Sequence, residues 1–339
     1  MTPSLTTTDS AVLSETAPRA TSSHSENSAT LSLAFQPAST VEAAQQLTSQ
    51  LAHSHYENFS VVSVLLPARL RQDFCNIYAF CRIADDLGDE LGSKEQSLRQ
   101  LDRFRADTVS LFEGKPASAV FLALQQTVQK YDMPIKPFTD LIDAFLQDQR
   151  IDRYDTFEQV ADYCKRSADP VGRLVLYLCG YRDEVRQQLS DHTCTALQLA
   201  NFWQDVRRDL VDRDRIYLPR ETMDRFGVTE QQLQDARCDD NYRAAIKFEV
   251  DRTQSLFDQG EALLPMLDES VRPQITLFGQ GGMAILDAIR KQNYDTLTRR
   301  PALSKWQKGR LVFGVIAARL RQAVEGAGSP QSSTNRGPA

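Results

Sequence analysis

Apolar residues recur through the middle of the chain at intervals of three and four. Leu98, Leu101, Phe104, Val109 and Phe112 follow this spacing approximately. The interval matches one face of a 3.6-residue helix, whereas a half-buried strand alternates at every second residue. We find no such alternating run in the sequence. The pattern therefore predicts an all-α protein.

Proline and glycine separate the periodic segments. Breaks such as Gly114, Pro134, Gly180 and Pro265 end helices because they remove backbone hydrogen bonds or favour non-helical conformations. Short connections between long helices are typical of a bundle, and the sequence contains no internal repeat. We expect one domain with about ten or more helices. The predicted helical segments are 68–90, 94–113, 118–131, 136–150, 157–179, 185–212, 240–264, 271–297 and 303–323.

The two ends of the chain lack this periodicity. Residues 1–40 contain 17 Ser or Thr and four charged residues, and the chain from residue 326 onward is rich in Gly, Ser and Pro. Such segments cannot bury enough apolar surface to offset the entropy lost on ordering. We therefore expect disordered tails at 1–40 and 326–339, and a folded domain at 41–325.

Composition and charge exclude several classes of function. A net charge of −6 gives no basic surface for nucleic acid. The six cysteines are widely spaced and form no C-x-x-C pair, which favours free, mostly buried thiols over a disulfide framework or a zinc site. No apolar run approaches the roughly 18 residues that a membrane-spanning helix needs. We expect a cytoplasmic protein with, at most, weak membrane-surface contact.

The first candidate motif is RIADDLGDE, at 82–90. On a helix, Asp85 and Asp89 project from one face, where two carboxylates repel each other unless a cation lies between them. The same spacing places Tyr78, Arg82, either Asp85 or Asp86, and Asp89 close to one stripe. Acidic residues are usually solvated surface, so this motif alone is a weak signal.

The second motif, QLANFWQDVRRDL, places only oxygen-bearing side chains on one helical face. Their spacing of three, four and four keeps them aligned, and magnesium prefers oxygen ligands completed by water and substrate phosphates. Two such faces across a bundle would hold a diphosphate through bridging Mg²⁺. Exposed, salt-bridged helices would not explain the crowding of Phe202, Trp203 and Val206 into the same segment. The aligned residues are Gln198, Asn201, Asp205 and Asp209.

With these two motifs, the sequence resembles the squalene/phytoene synthase family, all-α enzymes that join or rearrange prenyl diphosphates. The resemblance covers most of 45–300. It implies a single-domain isoprenoid-synthase helical bundle with a central cavity for diphosphate and Mg²⁺. The matching segments are HYENFS (55–60), IYAFCRIADDLGDE (77–90), QLANFWQDVRRD (198–209), RIYLP (215–219) and ILDAIRKQNY (285–294).

The resemblance also implies roles for individual residues, with two to three Mg²⁺ ions bridging the diphosphate. The implied catalytic residues are Tyr78, Arg82, Asp85, Asp89, Asp205 and Asp209. The implied substrate contacts are His55, Asn58, Phe59, Tyr78, Arg82, Gln198, Asn201, Arg215 and Tyr217. The implied metal ligands are Asp85, Asp86, Asp89, Asn201, Asp205 and Asp209.

Within the family, HYENF, YCKRSADPVGRLVL and NFWQDV are similar to the hydroxysqualene synthases of the bacterial hopanoid pathway. This implies Mg²⁺-dependent conversion of presqualene diphosphate, or a related prenyl diphosphate, to hydroxysqualene, with other pathway enzymes as candidate partners. One alternative is a head-to-head transferase making phytoene, dehydrosqualene or squalene from geranylgeranyl or farnesyl diphosphate. Another is a non-catalytic, synthase-like assembly protein, whose acidic motifs would be eroded; here both are whole.

Three positions depart from the family pattern. Lys165 stands where phytoene-type members often have an aromatic residue, Asp169 where the hydroxysqualene branch usually has Asn, and Gln204 where many synthases have Arg. Water capture by a carbocation requires a polar group in an otherwise apolar cavity. Lys165, Arg166 and Asp169 lie on the segment expected to supply it. The candidate cavity-lining residues are Phe80, Phe145, Leu174, Phe202 and Phe278.

The segment GQGGMA, at 279–284, satisfies the G-x-G-x-x-A pattern of dinucleotide-binding proteins. That pattern carries weight only inside a βαβ unit, and nothing nearby resembles a second strand. We expect these glycines instead to let a core helix bend or approach a neighbour closely. No NADPH is therefore expected as a cofactor.

Overall fold

The computed structural model describes residues 34–54 and 66–304. Over these ranges, the chain forms twelve α-helices, one 3₁₀ helix (Glu261–Met266) and no β-strand. This confirms the predicted all-α architecture of ten or more helices. The α-helices are α1 (Val41–Ser54), α2 (Ala68–Asp89), α3 (Lys94–Phe112), α4 (Ala119–Tyr131), α5 (Lys136–Asp148), α6 (Phe157–Ser167), α7 (Asp169–Leu178), α8 (Glu184–Arg213), α9 (Arg220–Phe226), α10 (Glu230–Gln234), α11 (Asp240–Gly260) and α12 (Arg272–Lys291).

One segment that was predicted as a single helix forms two helices. The segment predicted at 157–179 breaks at Ala168, whose φ of −124° and ψ of −50° leave the helical range. Pro170 lies in the first turn of α7, where its missing N–H breaks no helical bond. The break separates Ser167, the last residue of α6, from Asp169, the first residue of α7.

Short or weakly apolar helices were not predicted. Helix α1 buries Ala44, Thr48, Leu51 and Ala52, of which only Leu51 is a large apolar residue. Helices α9 and α10 span only seven and five residues. The predicted helix at 303–323 lies almost entirely outside the described residues.

Helices α2 and α8 are the centres of two packed halves. Helix α2 packs against α1, α3, α4 and α5, and its Phe80 is fully buried among Phe104, Phe121 and Phe138. Helix α8 packs against α7, α11 and α12, with Trp203 fully buried in its half of the core. Burying each such side chain contributes about 1.5–3 kcal/mol. Most neighbours of the two central helices differ, while α7 packs against both.

The predicted tails lie mostly outside the described residues, but packing extends before residue 41. Ala34 is fully buried, and the carbonyl oxygen of Gln36 accepts a hydrogen bond of 2.7 Å from the Ala119 N–H. Residues 34–40 therefore pack against the bundle, N-terminal to the predicted boundary.

Two predictions from composition concern the cysteines and membrane-spanning helices. All six cysteines are free, as the spacing predicted, but only Cys75 and Cys164 are buried and the other four are partly exposed. Among the described helices, none is long and apolar enough to cross a membrane.

The glycine motif lies inside α12, so it is not the turn of a βαβ unit. A Cβ atom at Gly282 would overlap the ring of Phe257 and lie 2.7 Å from Leu197 Cδ2. Glycine at this position lets α12 approach both α8 and α11. The predicted close approach is confirmed at Gly282.

Candidate active site

The two acidic helix faces line one cavity of about 220 Å³. Helix α2 contributes Asp85 and Asp89. Helix α8 contributes residues from four successive turns: Gln198, Asn201, Asp205 and Asp209. Because α2 and α8 belong to different halves of the core, their carboxylates face each other across the cavity, as the helical spacing predicted.

Arginine side chains form ion pairs with the carboxylates of the cavity. Asp89 is held from two directions, since Arg213 Nε and Arg215 Nη1 each lie 3.0 Å from its carboxylate oxygens. Asp85 pairs with Arg82 at 3.3 Å, and Asp205 pairs with Arg300, whose Nη2 lies 2.9 Å from Oδ2. Arg213 and Arg215 themselves line the cavity. The site therefore contains both the oxygen ligands of a cation and the guanidinium groups that bind phosphate.

The carboxylates also crowd one another. Burial raises the pKa of Asp85 to about 6, and the neighbouring charge of Asp89 adds to the effect. Burial likewise raises the pKa of Asp209 to about 7, with Asp205 as the next cause. A carboxyl group whose pKa is raised in this way favours a proton or a cation beside it. The cavity is thus an electrostatically favourable place for a metal ion.

The donor atoms fit magnesium. The described lining residues offer carboxylate and amide oxygens, with no histidine or cysteine among them. Within the described part of the chain, no group of three His, Cys, Asp or Glu residues converges tightly enough to form a metal cage. Magnesium usually takes only one or two protein carboxylates and completes its shell with water and substrate phosphates. These separated carboxylates suit such an ion better than they suit zinc.

Asp148 forms a polar part of the cavity that the sequence did not reveal. Tyr163 donates a hydrogen bond of 2.7 Å to its Oδ2, and Tyr217 donates one of 3.3 Å to its Oδ1. Burial raises the pKa of Asp148 to about 7, although the positive charge of Arg215 opposes this rise. Asp148 thereby fixes two aromatic side chains at the cavity.

Those aromatic side chains form a wall beside the carboxylates. The rings of Phe202 and Tyr217 stack with centroids 3.7 Å apart and planes inclined by 5°. Tyr163 lies against both, at 6.1 Å from Phe202 and 5.7 Å from Tyr217. Together with Phe145, these residues line the cavity. A polar side that contains carboxylates and guanidinium groups therefore adjoins an aromatic side, and the faces of aromatic rings attract cations.

Several predicted site residues lie elsewhere. Asp86 does not line the cavity: it is fully buried and pairs with Arg82. One residue rotates the side chain about 100° around the helix, which turns Asp86 away from the face of Asp85. Tyr78 and Arg82 also do not line the cavity, although Arg82 reaches Asp85. The predicted contacts His55, Asn58 and Phe59 lie outside the described residues.

Some of the apolar residues that were predicted to line the cavity belong to the hydrophobic core instead. Phe145 and Phe202 line the cavity as expected. Phe80 and Leu174 are fully buried in the hydrophobic core, and Phe278 is half-buried against it. Large apolar side chains on the inner face of a helix can serve either purpose, and their spacing does not distinguish the two.

The segment 165–169 was expected to supply polar groups to the cavity, but its charged residues do not line it. Lys165 and Asp169 line a separate and larger cleft of about 770 Å³. Asp169 accepts a hydrogen bond of 2.8 Å from Thr195 Oγ1, and Arg166 pairs with Asp162 at 2.7 Å. The residue of this segment that lines the acidic cavity is Ser167.

Comparison with known proteins gives a consistent family. The family model "Squalene/phytoene synthase" matches residues 52–307. The chain is 31% identical over 294 residues to the 15-cis-phytoene synthase of Synechococcus elongatus, covering 84% of this chain and 93% of that protein.

Solved structures agree with this match. The crystal structure of squalene synthase HpnC from Alicyclobacillus acidocaldarius is 45% identical, with a TM-score of 0.72 over 75% of this chain and 96% of that one. A dehydrosqualene synthase in complex with ligand is 25% identical, with a TM-score of 0.75 over 83% and 98% of the two chains. The chain belongs to the squalene/phytoene synthase family of head-to-head prenyl transferases, enzymes that act on prenyl diphosphates.

Proposed function

We propose that this enzyme converts presqualene diphosphate to hydroxysqualene, with loss of diphosphate and without NADPH. The observation that carries the proposal is the cavity in which the acidic faces of α2 and α8 meet beside an aromatic wall. The 45% identity to the HpnC squalene synthase, together with the similarity of residues 163–176 to the hopanoid branch, supports this substrate over geranylgeranyl diphosphate.

The carboxylates would hold two to three magnesium ions. Asp85, Asp89, Asn201, Asp205 and Asp209 are the residues that supply oxygen to the cavity and would share the ions with the diphosphate. Bound magnesium stabilises the negative charge that develops on the leaving diphosphate, which can supply several kcal/mol. Asp86 is omitted from this ligand set because its carboxylate is fully buried against Arg82.

The arginines would take part in binding the diphosphate. Arg213 and Arg215 line the cavity while pairing with Asp89, so a phosphate oxygen could replace or share that carboxylate. Arg215 is further anchored to the Asp148 carbonyl oxygen at 3.3 Å. Gln198 and Asn201 would add neutral hydrogen bonds from α8.

The aromatic wall would protect the cationic intermediate. After diphosphate leaves, the cyclopropylcarbinyl cation must rearrange before water reaches it. The stacked Phe202 and Tyr217 rings can stabilise a nearby cation by about 0.5–2 kcal/mol. The hydroxyl groups of Tyr163 and Tyr217 both donate hydrogen bonds to Asp148, which limits the number of free nucleophiles near the cation.

A second candidate is phytoene synthesis from geranylgeranyl diphosphate. The specific observation in its favour is the 31% identity to the phytoene synthase of Synechococcus elongatus. A dehydrosqualene product from farnesyl diphosphate is a variant of the same chemistry, since a dehydrosqualene synthase shares the fold. A non-catalytic role is disfavoured because both acidic faces are intact and line one cavity.

Product analysis tests the proposal. The purified full-length enzyme receives presqualene, farnesyl or geranylgeranyl diphosphate in separate reactions with Mg²⁺, each with and without NADPH. We expect hydroxysqualene from presqualene diphosphate, in equal yield with and without reductant. Squalene formed only with NADPH, or phytoene from geranylgeranyl diphosphate with presqualene diphosphate untouched, would overturn the proposal in favour of the reductive or C40 reaction.

A further inference from the structure

The active-site cavity contains one hydroxyl group to which the proposed steps assign no role. Ser167 is the last residue of α6 and lines the cavity together with Asp85, Gln198 and Asp209. Its Oγ atom is buried and has no hydrogen-bond partner among the described residues. Helical serines commonly bond to the carbonyl four residues earlier, and Ser167 does not.

A buried hydroxyl without a partner is costly to the folded protein. Leaving such a group unpaired forfeits its hydration, whereas a bound water or ligand oxygen would recover that loss. The tyrosine hydroxyl groups of the cavity are already engaged, since Tyr163 and Tyr217 both donate hydrogen bonds to Asp148. The donor and both acceptor lone pairs of Ser167 Oγ are therefore unused by the described residues.

Ser167 lies on the aromatic side of the cavity. It follows Tyr163 by four residues on α6, so the two side chains share one helical face. The Tyr163 ring packs against Phe202 and Tyr217. The acidic side, in contrast, comes from α2 and α8 and already carries arginines that can meet the phosphates. This placement favours contact with the hydrocarbon cation over contact with the diphosphate.

The charged neighbours of Ser167 do not offer an alternative. Lys165 and Asp169 line the separate cleft, and Arg166 is paired with Asp162 and bonded to Gln147. Of the residues in 165–169, Ser167 is the one that lines the active-site cavity.

We propose that Ser167 positions the water molecule that captures the rearranged carbocation, an inference that rests on the proposed function. The water donates one hydrogen to Ser167 Oγ, which leaves an oxygen lone pair free to form the carbon–oxygen bond. As that bond forms, the water gives up one proton, and the released diphosphate accepts it. Presqualene diphosphate and water thereby become hydroxysqualene and protonated diphosphate, with no oxidant or reductant.

Three variants test this role. Ser167→Ala removes the hydroxyl, Ser167→Thr keeps it, and Lys165→Gln is a control two residues away that faces the other cleft. Each full-length protein is given presqualene diphosphate and Mg²⁺ in H₂¹⁸O without NADPH. The measurements are the rate of diphosphate release, the ratio of labelled alcohol to polyene hydrocarbons, and the thermal midpoint of unfolding.

We expect Ser167→Ala to lower the ratio of alcohol to polyenes by about tenfold, the size of effect that about 1.4 kcal/mol produces. Diphosphate release should continue, because ionisation precedes water capture. Ser167→Thr should restore most of the alcohol, and Lys165→Gln should give the parental ratio. Similar unfolding midpoints would show that all the proteins are folded.

Two results would overturn the inference while leaving the proposed function standing. One is an unchanged product ratio in folded Ser167→Ala. The other is slower diphosphate release at an unchanged ratio, which would mean that Ser167 binds the diphosphate. If the parental enzyme forms no labelled alcohol, the proposed function itself fails, and the inference fails with it.

Discussion

Adjacent aspartates on α2 have different environments because one residue step turns the side chain around the helix. Asp85 keeps 43% of its side chain exposed to the cavity, whereas the side chain of Asp86 is fully buried beside Arg82. Both have a raised pKa, chiefly from burial. We assign metal binding to Asp85 and a structural ion pair to Asp86. The two adjacent aspartates would thus have different roles.

Neutralising one carboxylate on each face should stop the reaction. We expect Asp85→Asn and Asp205→Asn each to lower kcat/KM by at least about 100-fold, because each removes a charged magnesium ligand from the cavity. Steady-state kinetics at saturating Mg²⁺ would measure this, with circular dichroism to confirm folding. Asp212→Asn is the matched control, since Asp212 lies on α8 and pairs with Arg208 at the surface. Activity near the parental value in either cavity variant would contradict the assignment.

Asp169 should make the folded state less stable as pH rises. Burial raises its pKa to about 8, and Asp191 adds to the effect, while Thr195, Arg173 and Lys165 oppose it. Since the folded state holds this proton more tightly than the unfolded state, stability falls as pH increases from about 4 toward 8. Asp169→Asn removes this titration and keeps an acceptor for Thr195.

We therefore expect Asp169→Asn to be more stable than the parent by on the order of 1–2 kcal/mol at pH 8, and by much less at pH 5. Urea unfolding at both pH values measures the difference. A gain of equal size at pH 5 and pH 8 would show that the carboxylate is not the cause.

At the level of elements, local spacing identified the residues that share a helix face. The positions 198, 201, 205 and 209 were found this way, and one more step of four would have reached Arg213, which also lines the cavity. Asp148 and Arg300 gave no comparable signal. Arg300 reaches Asp205 across 95 residues of sequence, and Asp148 meets Tyr217 across 69. Such contacts depend on how helices pack, which periodicity does not encode.

The break between α6 and α7 shows the same limit. Apolar spacing continues through 157–179, so it predicted one helix, although Pro170 was visible in the sequence. A proline in the first turn of a helix is well tolerated, which is why a new helix starts there. Ser167 and Asp169, on either side of this break, line different cavities.

The packing of α12 against α8 and α11 should be sensitive to glycine at one position. Gly282→Val would insert a side chain where even a Cβ overlaps Phe257, and we expect a loss of about 1–3 kcal/mol in unfolding free energy. Gly279→Ala is the matched control on the same helix, where no described atom lies within 4 Å of the new Cβ. There we expect a gain of about 0.5–1 kcal/mol from helix propensity. Equal effects of the two changes in chemical denaturation would contradict the close-approach role.

For the whole molecule, the active-site cavity joins the two halves of the core. Its walls come from α2 and α5 on one side, and from α6 and α8 on the other. The acids on both sides repel one another and are balanced by Arg82, Arg213, Arg215 and Arg300. A ligand that binds both walls should therefore stabilise the whole bundle rather than one helix.

Magnesium and diphosphate together should raise the thermal midpoint of the protein. At 100 times the dissociation constant, such a ligand adds about 2.7 kcal/mol to folded-state stability, which corresponds to a rise of roughly 5 °C for a folded domain of this size. Inorganic pyrophosphate is the probe, and differential scanning calorimetry measures the shift. We expect little change with pyrophosphate in excess chelator, because the cavity carboxylates would repel the unaccompanied anion, and a much reduced shift in Asp205→Asn. An equal rise with and without Mg²⁺ would instead assign diphosphate binding to the arginines alone, and the acidic faces of α2 and α8 would then need another explanation.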